Sequence, residues 1–372
     1  MERLLMTPGP TNIPREVFKS MSYNIHHRTD EFMHIMDRAD KKLMRVFGSK
    51  NEILILSCSG TGGLEASVVN MFSPGDKLLC INCGVFGKRY ADIARAYGVD
   101  VTELKSELGY GIRMEALEKE LEKNHYKAVY ATYSETSTGI KNDIKEIGDI
   151  VKKYDSLFII DAVSALGCLK LDVDEYGVDV AVAGSQKGLM CPPGLSLISM
   201  SDRAWLETQK SRIAKFYFDF GKYKNLRMPY TPCTSLILGL DKALDMILGE
   251  GLENVYKRHS IYSKAVKEAA LIMNLVEFPD RRFDSEVLTA LYVPQDIDEK
   301  ALRRGMYNRG IVIAGGQGKL KGNIIRIGHI GYLKNEFIIR TIGTLGSVLN
   351  EMGYKNDTGS AILRAEEIIN TL

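Results

Sequence analysis

The chain lacks any long hydrophobic run. Its opening residues, Met1-Glu2-Arg3-Leu4-Leu5-Met6-Thr7-Pro8, hold no extended apolar segment, and no stretch among the 372 residues reaches the length of a membrane span. A cytoplasmic location is the expectation. An excess of charge of one sign is missing too. The 49 Lys and Arg residues are interleaved with 47 Asp and Glu, for a net charge of +2, so nothing points to nucleic acid or an anionic membrane surface. Cysteine is scarce: the six residues at 58, 80, 83, 168, 191 and 233 are scattered. Cys80 and Cys83 form a single C-x-x-C after the strand-like Leu78-Leu79-Cys80-Ile81-Asn82. Redox chemistry is conceivable there, but a metal site would want a second pair, which is absent. Buried free thiols and no metal are therefore expected. Internal repeats and low-complexity segments are absent as well.

What remains is the composition of a globular enzyme, 45% apolar and 26% charged. The length suits one large and one smaller domain. Short apolar runs alternate with helix patterns from about residue 50 to 200. The candidate strands are Ile53–Ser57, Lys77–Ile81, Asp100–Leu104, Ala128–Thr132, Leu157–Ile160, Asp179–Ala183 and Leu195–Met200. Candidate helices between them are Lys88–Tyr97, Met114–Lys123 and Asp143–Tyr154. That alternation predicts an α/β fold with a mostly parallel seven-stranded sheet covered by helices on both faces. Leu195–Met200 follows its predecessor too closely for a helical crossover and should run antiparallel. Helix patterns dominate Ser235–Leu275. Beyond them, Val287–Val293, Asp298–Arg309, Ile311–Ile313, Asn323–Ile327 and Asn335–Met352 read as a small α+β domain, and Thr358–Leu372 as one more amphipathic helix. The division expected is an N-terminal segment 1–14, a large domain 15–252 and a small C-terminal domain 253–372.

Three elements carry chemistry. Lys187 follows the apolar Ala181-Val182-Ala183 and a Gly184-Ser185-Gln186 turn, and the proline-bearing Met190-Cys191-Pro192-Pro193-Gly194 comes after it. A lysine held there loses solvation, and its amine becomes neutral enough to form a Schiff base. Asp161 ends the run Leu157-Phe158-Ile159-Ile160, where α/β folds place groups that touch ligands. Pyridoxal phosphate uses such a pair: a lysine for its aldehyde and a carboxylate for its ring nitrogen. The third element is Ile53-Leu54-Ile55-Leu56 running into Ser57-Cys58-Ser59-Gly60-Thr61-Gly62-Gly63 and a helix pattern. Small residues, free N–H groups and the hydroxyls of Ser59 and Thr61 suit a phosphate. The dinucleotide motif fails because Glu65 stands where its last glycine would be, and no Gly-Lys-Ser/Thr of a P-loop follows. Each element also has an ordinary reading, as a surface lysine, a helix-capping aspartate and a plain tight turn.

In that order, the three elements resemble the fold-type I pyridoxal phosphate enzymes of the class V aminotransferase branch, and most closely the alanine/serine–glyoxylate (pyruvate) group. The resemblance covers nearly the whole chain. It runs from Leu5-Met6-Thr7-Pro8-Gly9-Pro10-Thr11-Asn12 through Ser59-Gly60-Thr61, Phe86-Gly87, Glu135-Thr136-Ser137-Thr138-Gly139, Asp161 and Gly184-Ser185-Gln186-Lys187 to Ile325-Arg326-Ile327-Gly328. It implies that Phe86 stacks on the cofactor ring, although a core phenylalanine fits the pattern as well. It implies that Thr136 donates to the pyridine 3-oxygen, and that Gln186 contacts the phosphate. Thr231, in Tyr230-Thr231-Pro232, is similar to a residue that reaches the phosphate across a dimer interface, which implies a homodimer with shared sites. Arg326 sits between apolar residues, where a guanidinium must be paired or face a ligand. Its planar fork suits an α-carboxylate, the role the resemblance gives it. Arg28 reads as a solvated loop residue.

The function implied is pyridoxal 5'-phosphate-dependent transamination between a small amino acid, such as alanine or serine, and a 2-oxo acid such as glyoxylate or pyruvate. In that reading Lys187 and Asp161 are catalytic. The rivals are 2-aminoethylphosphonate–pyruvate transamination, a lyase or desulfurase, and a non-catalytic binding protein on the same scaffold. A desulfurase would need a cysteine in a flexible loop and a histidine where Gln186 stands.

Overall fold

The computed structural model describes residues 3–372, apart from the side chains of residues 225 and 226. Seven strands form the main sheet: β1 (Leu54–Leu56), β2 (Lys77–Asn82), β3 (Asp100–Lys105), β4 (Ala128–Thr132), β5 (Leu157–Asp161), β6 (Val180–Gly184) and β7 (Ser196–Met200). Their order is β1-β7-β6-β5-β4-β2-β3. As expected, β7 alone is antiparallel, to β6 on one side and β1 on the other. The other pairs are parallel.

The central strands are buried on both faces, which is why they read as unbroken apolar runs. In β5, Phe158 and Ile160 face one core with Val129 and Ala131 of β4. Leu157 and Ile159 face the other, with Ala128 and Tyr130. Helices Asp30–Phe47, Met114–Lys123, Ile144–Lys152 and Thr234–Glu250 cover the first face. Helices Gly60–Met71, Val85–Ala96 and Asp202–Thr208 cover the second.

Gly251, at φ +88°, breaks the C-terminal helical stretch into Thr234–Glu250 and Leu252–Ile272. After it come β8 (Leu288–Tyr292), β9 (Ala314–Gly315) and β10 (Ile324–Gly328), ordered β8-β10-β9 and antiparallel. Helices Glu299–Asn308, Asn335–Glu351 and Thr358–Ile369 accompany them around a separate core. One pairing differs from the sequence reading. Ile311–Val312 does not join this sheet but pairs in parallel with Leu4–Leu5. Leu4 N–H donates to Gly310 O and Met6 N–H to Val312 O, while Leu4 and Met6 enter the second core. The opening segment is thus tied to the C-terminal part of the chain. Sequence periodicity cannot show this, because the two partners lie some three hundred residues apart.

Candidate active site

The parallel strands and β1 all point their carboxyl ends the same way, so the residues that follow them meet at one edge. After β1, Ser59 caps helix Gly60–Met71, its Oγ accepting from Gly62 N–H at 3.2 Å. Gly63 lets that helix lie against the sheet, since a Cβ there would come within 1.8 Å of Ser196 Oγ. The Ser59 hydroxyl serves as the helix cap, and Thr61 Oγ1 accepts from Arg89 Nη1 at 3.3 Å.

After β2, helix Val85–Ala96 starts three residues earlier than its periodicity indicates. The reason is Glu135, a fully buried carboxylate that accepts from Phe86 N–H and Gly87 N–H, each at 3.0 Å. It caps the helix from across the fold. Burial raises its pKa, and these hydrogen bonds oppose the shift.

Asp161 ends β5 and Lys187 lies three residues past β6. Both line one cavity of about 260 Å³, together with Ser59, Gly60, Thr61, Phe86 and Gln186. Burial pulls the Lys187 amine down to about 8. The Asp161 charge opposes that shift, while Arg326 and Arg89 reinforce it. Burial likewise lifts Asp161 to about 6, against the Val163 N–H bond at 2.8 Å and the charges of Lys187 and Arg89. Lys187 Nζ donates to Pro8 O at 2.5 Å, and Thr11 Oγ1 donates to Lys187 O at 3.1 Å. Gly9, at φ +124°, makes this approach possible, because a Cβ would fall 2.3 Å from Lys187 Cδ.

Arg326 lies in β10 and is buried. Its Nε donates to Gly315 O at 2.8 Å and its Nη1 to Thr136 O at 2.7 Å. Among the described residues no carboxylate lies within 4.0 Å of it. Burial lowers its pKa to about 10, with Glu135 opposing. Two carbonyls fix the plane of the fork and leave its charge unneutralised.

Apart from Thr231 and Arg28, the site residues read from the sequence fall into two groups. Ser59, Gly60, Thr61, Phe86, Asp161, Gln186 and Lys187 share the cavity. Thr136 and Arg326 adjoin each other outside its lining. Thr231 is exposed and does not line it, though Cys233 N–H donates to Ser57 Oγ at 2.9 Å beside the Ser59–Thr61 turn. Arg28 is exposed. Gly9, Pro10, Arg89, Ser134, Val163, Ser164 and Pro193 also line the cavity, and Arg89 and Ser134 carried no motif that would have singled them out.

The residues present fit pyridoxal phosphate. Gln186 Oε1 is buried without a hydrogen-bond partner, an orphan that a polar ligand would satisfy. The same cavity offers a helix N-terminus with two hydroxyls, a carboxylate, and an amine whose pKa burial lowers to about 8. Among the described residues no group of three or more His, Cys, Asp or Glu side chains is placed to hold a metal ion, and no helix is long and apolar enough to cross a membrane.

A family model for aminotransferase class V matches residues 4–320. The chain is 37% identical to a protein named soluble hydrogenase, small subunit, of Synechococcus sp. (strain PCC 6716), over 99% of this chain and 98% of that one. It is 33% identical to serine–glyoxylate aminotransferase of Methylorubrum extorquens, over 98% and 95%. The crystal structure of alanine–glyoxylate aminotransferase from Nostoc sp. superposes with a TM-score of 0.90 at 32% identity, covering 94% of this chain and 96% of that one.

Proposed function

The chain belongs to the class V aminotransferase family and is an enzyme of the transaminase type, and from that premise we propose that it moves amino groups between alanine or serine and a 2-oxo acid such as glyoxylate or pyruvate, with pyridoxal 5'-phosphate at Lys187. The observation that carries this reading is an amine and a carboxylate left without charged partners in one cavity, Lys187 with the Pro8 carbonyl and Asp161 with a single backbone donor, beside a buried Arg326 whose partners are carbonyls. The names of the glyoxylate aminotransferases it resembles support the substrate class.

Ser59, Gly60, Thr61 and Gln186 would hold the phosphate, Phe86 the ring face, Thr136 the 3-oxygen and Asp161 the ring nitrogen. When bound, the cofactor supplies an aldehyde for the amine and an electron-accepting ring. With the pKa of Lys187 near 8, roughly a tenth of its amines are neutral at pH 7, against fewer than one in a thousand for an ordinary lysine. That neutral amine can take a proton from the substrate α-carbon and return it. Although burial raises Asp161 to about 6, it is mostly ionised at neutral pH and presents negative charge where a cationic ring would lie. Arg326 would grip the substrate carboxylate with its free N–H groups. Gly9 and Pro10 line the cavity beside Lys187.

The reading includes a homodimer with shared sites, supported by the exposure of Thr231 and of the nearby Phe216, which is 71% exposed. It also includes a cytoplasmic location, in keeping with six free cysteines. The large and small domains are taken as 15–252 and 253–372, a division supported by the helix break at Gly251. The test is a donor screen. The purified pyridoxal form is mixed with single amino acids, and the loss of its colour is followed, then its recovery with glyoxylate. Bleaching by alanine or serine and recovery with glyoxylate are expected. A protein that no small amino acid bleaches would overturn the assignment.

A further inference from the structure

Arg89 has no part in the reading above, yet it lines the same cavity as Lys187, Asp161 and Phe86. It stands three residues after Phe86 in helix Val85–Ala96, a spacing that puts both side chains on one face. Its guanidinium carbon lies 4.8 Å from the centroid of the Phe86 ring, and Nη1 donates to Thr61 Oγ1 at 3.3 Å. The acidic groups beside it are already engaged. Asp92 takes Lys88 at 2.5 Å and Arg95 at 3.4 Å, and Glu65 accepts from Tyr97 Oη. Among the described residues no carboxylate lies within 4.0 Å of Arg89. Its charge is thus left to the cavity, where it favours the neutral form of Lys187 and the ionised form of Asp161.

We propose that Arg89 is a positioning residue of the cofactor site, covering one face of Phe86 and tying that ring to Thr61 of the phosphate turn. This rests on the assignment of pyridoxal phosphate to the cavity. A guanidinium over an aromatic face is attracted by the ring's quadrupole, and its planar stack limits how the ring can tilt. The opposite face of Phe86 is then presented in a fixed plane to the cofactor ring. Because the same side chain holds Thr61, the ring support and the phosphate turn are set as one unit.

The test compares wild type, Arg89→Met and Arg89→Lys as holoenzymes, with two readouts besides activity. One is retention of pyridoxal phosphate on dilution. The other is the pH midpoint of the bound cofactor's absorbance change. The charged and titratable groups around Lys187 are Asp161, Arg326, Arg89 and Cys168. Removing the positive charge of Arg89 makes protonation near Lys187 easier, so the midpoint in Arg89→Met should move to higher pH. Retention should weaken roughly three- to thirtyfold, the range for a partly desolvated cation–ring contact. Arg89→Lys should restore the midpoint but only part of the retention, because it returns the charge without the planar stack. Wild-type retention and midpoint in Arg89→Met would overturn the proposal. So would a midpoint displaced as far in Arg89→Lys as in Arg89→Met. Should Arg89→Met fail to fold, Arg89→Lys decides alone: wild-type retention in that variant contradicts the stacking role. A wild type that takes up no pyridoxal phosphate would instead refute the functional reading on which this inference depends.

Discussion

Asp241 and Asp161 are both buried aspartates, and the chain treats them in opposite ways. Asp241 receives Arg38 at 2.7 Å and Lys42 at 2.6 Å from helix Asp30–Phe47. Asp179, just before β6, is served by Phe158 N–H, Ser201 and Arg203. Asp161 has one backbone N–H, and no cation lies within 4.0 Å of it among the described residues. Arg326 mirrors it, with carbonyls and no anion. The fold gives Asp241 and Asp179 cations, and it serves the buried Glu135 with several N–H groups and the Ser137 hydroxyl. At the carboxyl edge of the sheet the counter-charges are withheld, and burial shifts Lys187 and Asp161 toward each other in pKa. Such under-satisfied buried charge costs stability and has value only if a ligand completes it.

Substitutions should therefore separate the two regions. The largest effect is expected for Lys187→Ala, which removes the amine proposed to attach the cofactor and move the proton. Turnover should fall by about 10²–10⁴-fold, the scale of losing a positioned acid–base group. A residual rate within tenfold of wild type in a steady-state assay would contradict the assignment. Next comes Asp161→Asn, which keeps shape but not charge. Each pKa unit lost from the ring nitrogen is worth about 1.4 kcal/mol, so several units should cost orders of magnitude in rate while cofactor remains bound. The paired control is Asp241→Asn. It should lower unfolding free energy by about 1–3 kcal/mol and leave turnover near normal. Equal losses of turnover in the two aspartate variants would dissolve the distinction between the regions.

A smaller effect is expected for Arg326→Lys, which keeps the charge but loses the fork. Amino-acid binding should weaken by about 1.5–3 kcal/mol, roughly ten- to a hundredfold, with cofactor affinity near normal. An amine without a carboxylate is the control. If it loses as much binding as alanine does, Arg326 is not the carboxylate clamp. The mildest prediction concerns pH. Since the Lys187 pKa is lowered to about 8, its neutral fraction grows as pH rises toward 8 and levels off above it. Capture of added pyridoxal phosphate by the cofactor-free protein should follow that curve. A rate still climbing tenfold per unit at pH 9 would indicate an ordinary exposed lysine.

The inner strands of the main sheet were legible in the sequence because burial on both faces leaves unbroken apolar runs, which the half-exposed edge strand β3 lacks, and β7 was legible as antiparallel because no crossover fits before it. Lys187, Asp161 and the Ser59–Thr61 turn were legible because each follows such a run. Arg89 was not, since an arginine on an amphipathic helix reads as a solvated face until Phe86 and Thr61 are seen beside it. The reach of Pro8 and Gly9 to Lys187 was also hidden, because it depends on the pairing of Leu4–Leu5 with Ile311–Val312. Glu135 was visible only as part of a loop motif. Its role as a cap for a helix some fifty residues earlier is a tertiary fact.

The central claim is that the withheld counter-charges around Lys187 are supplied by pyridoxal phosphate. Borohydride reduction of the cofactor-loaded protein, followed by peptide mass mapping, tests it most directly. A pyridoxyl group on the peptide containing Lys187, and on no other lysine, is the expected result. A label on a different lysine, or no label on a protein saturated with pyridoxal phosphate, would contradict it.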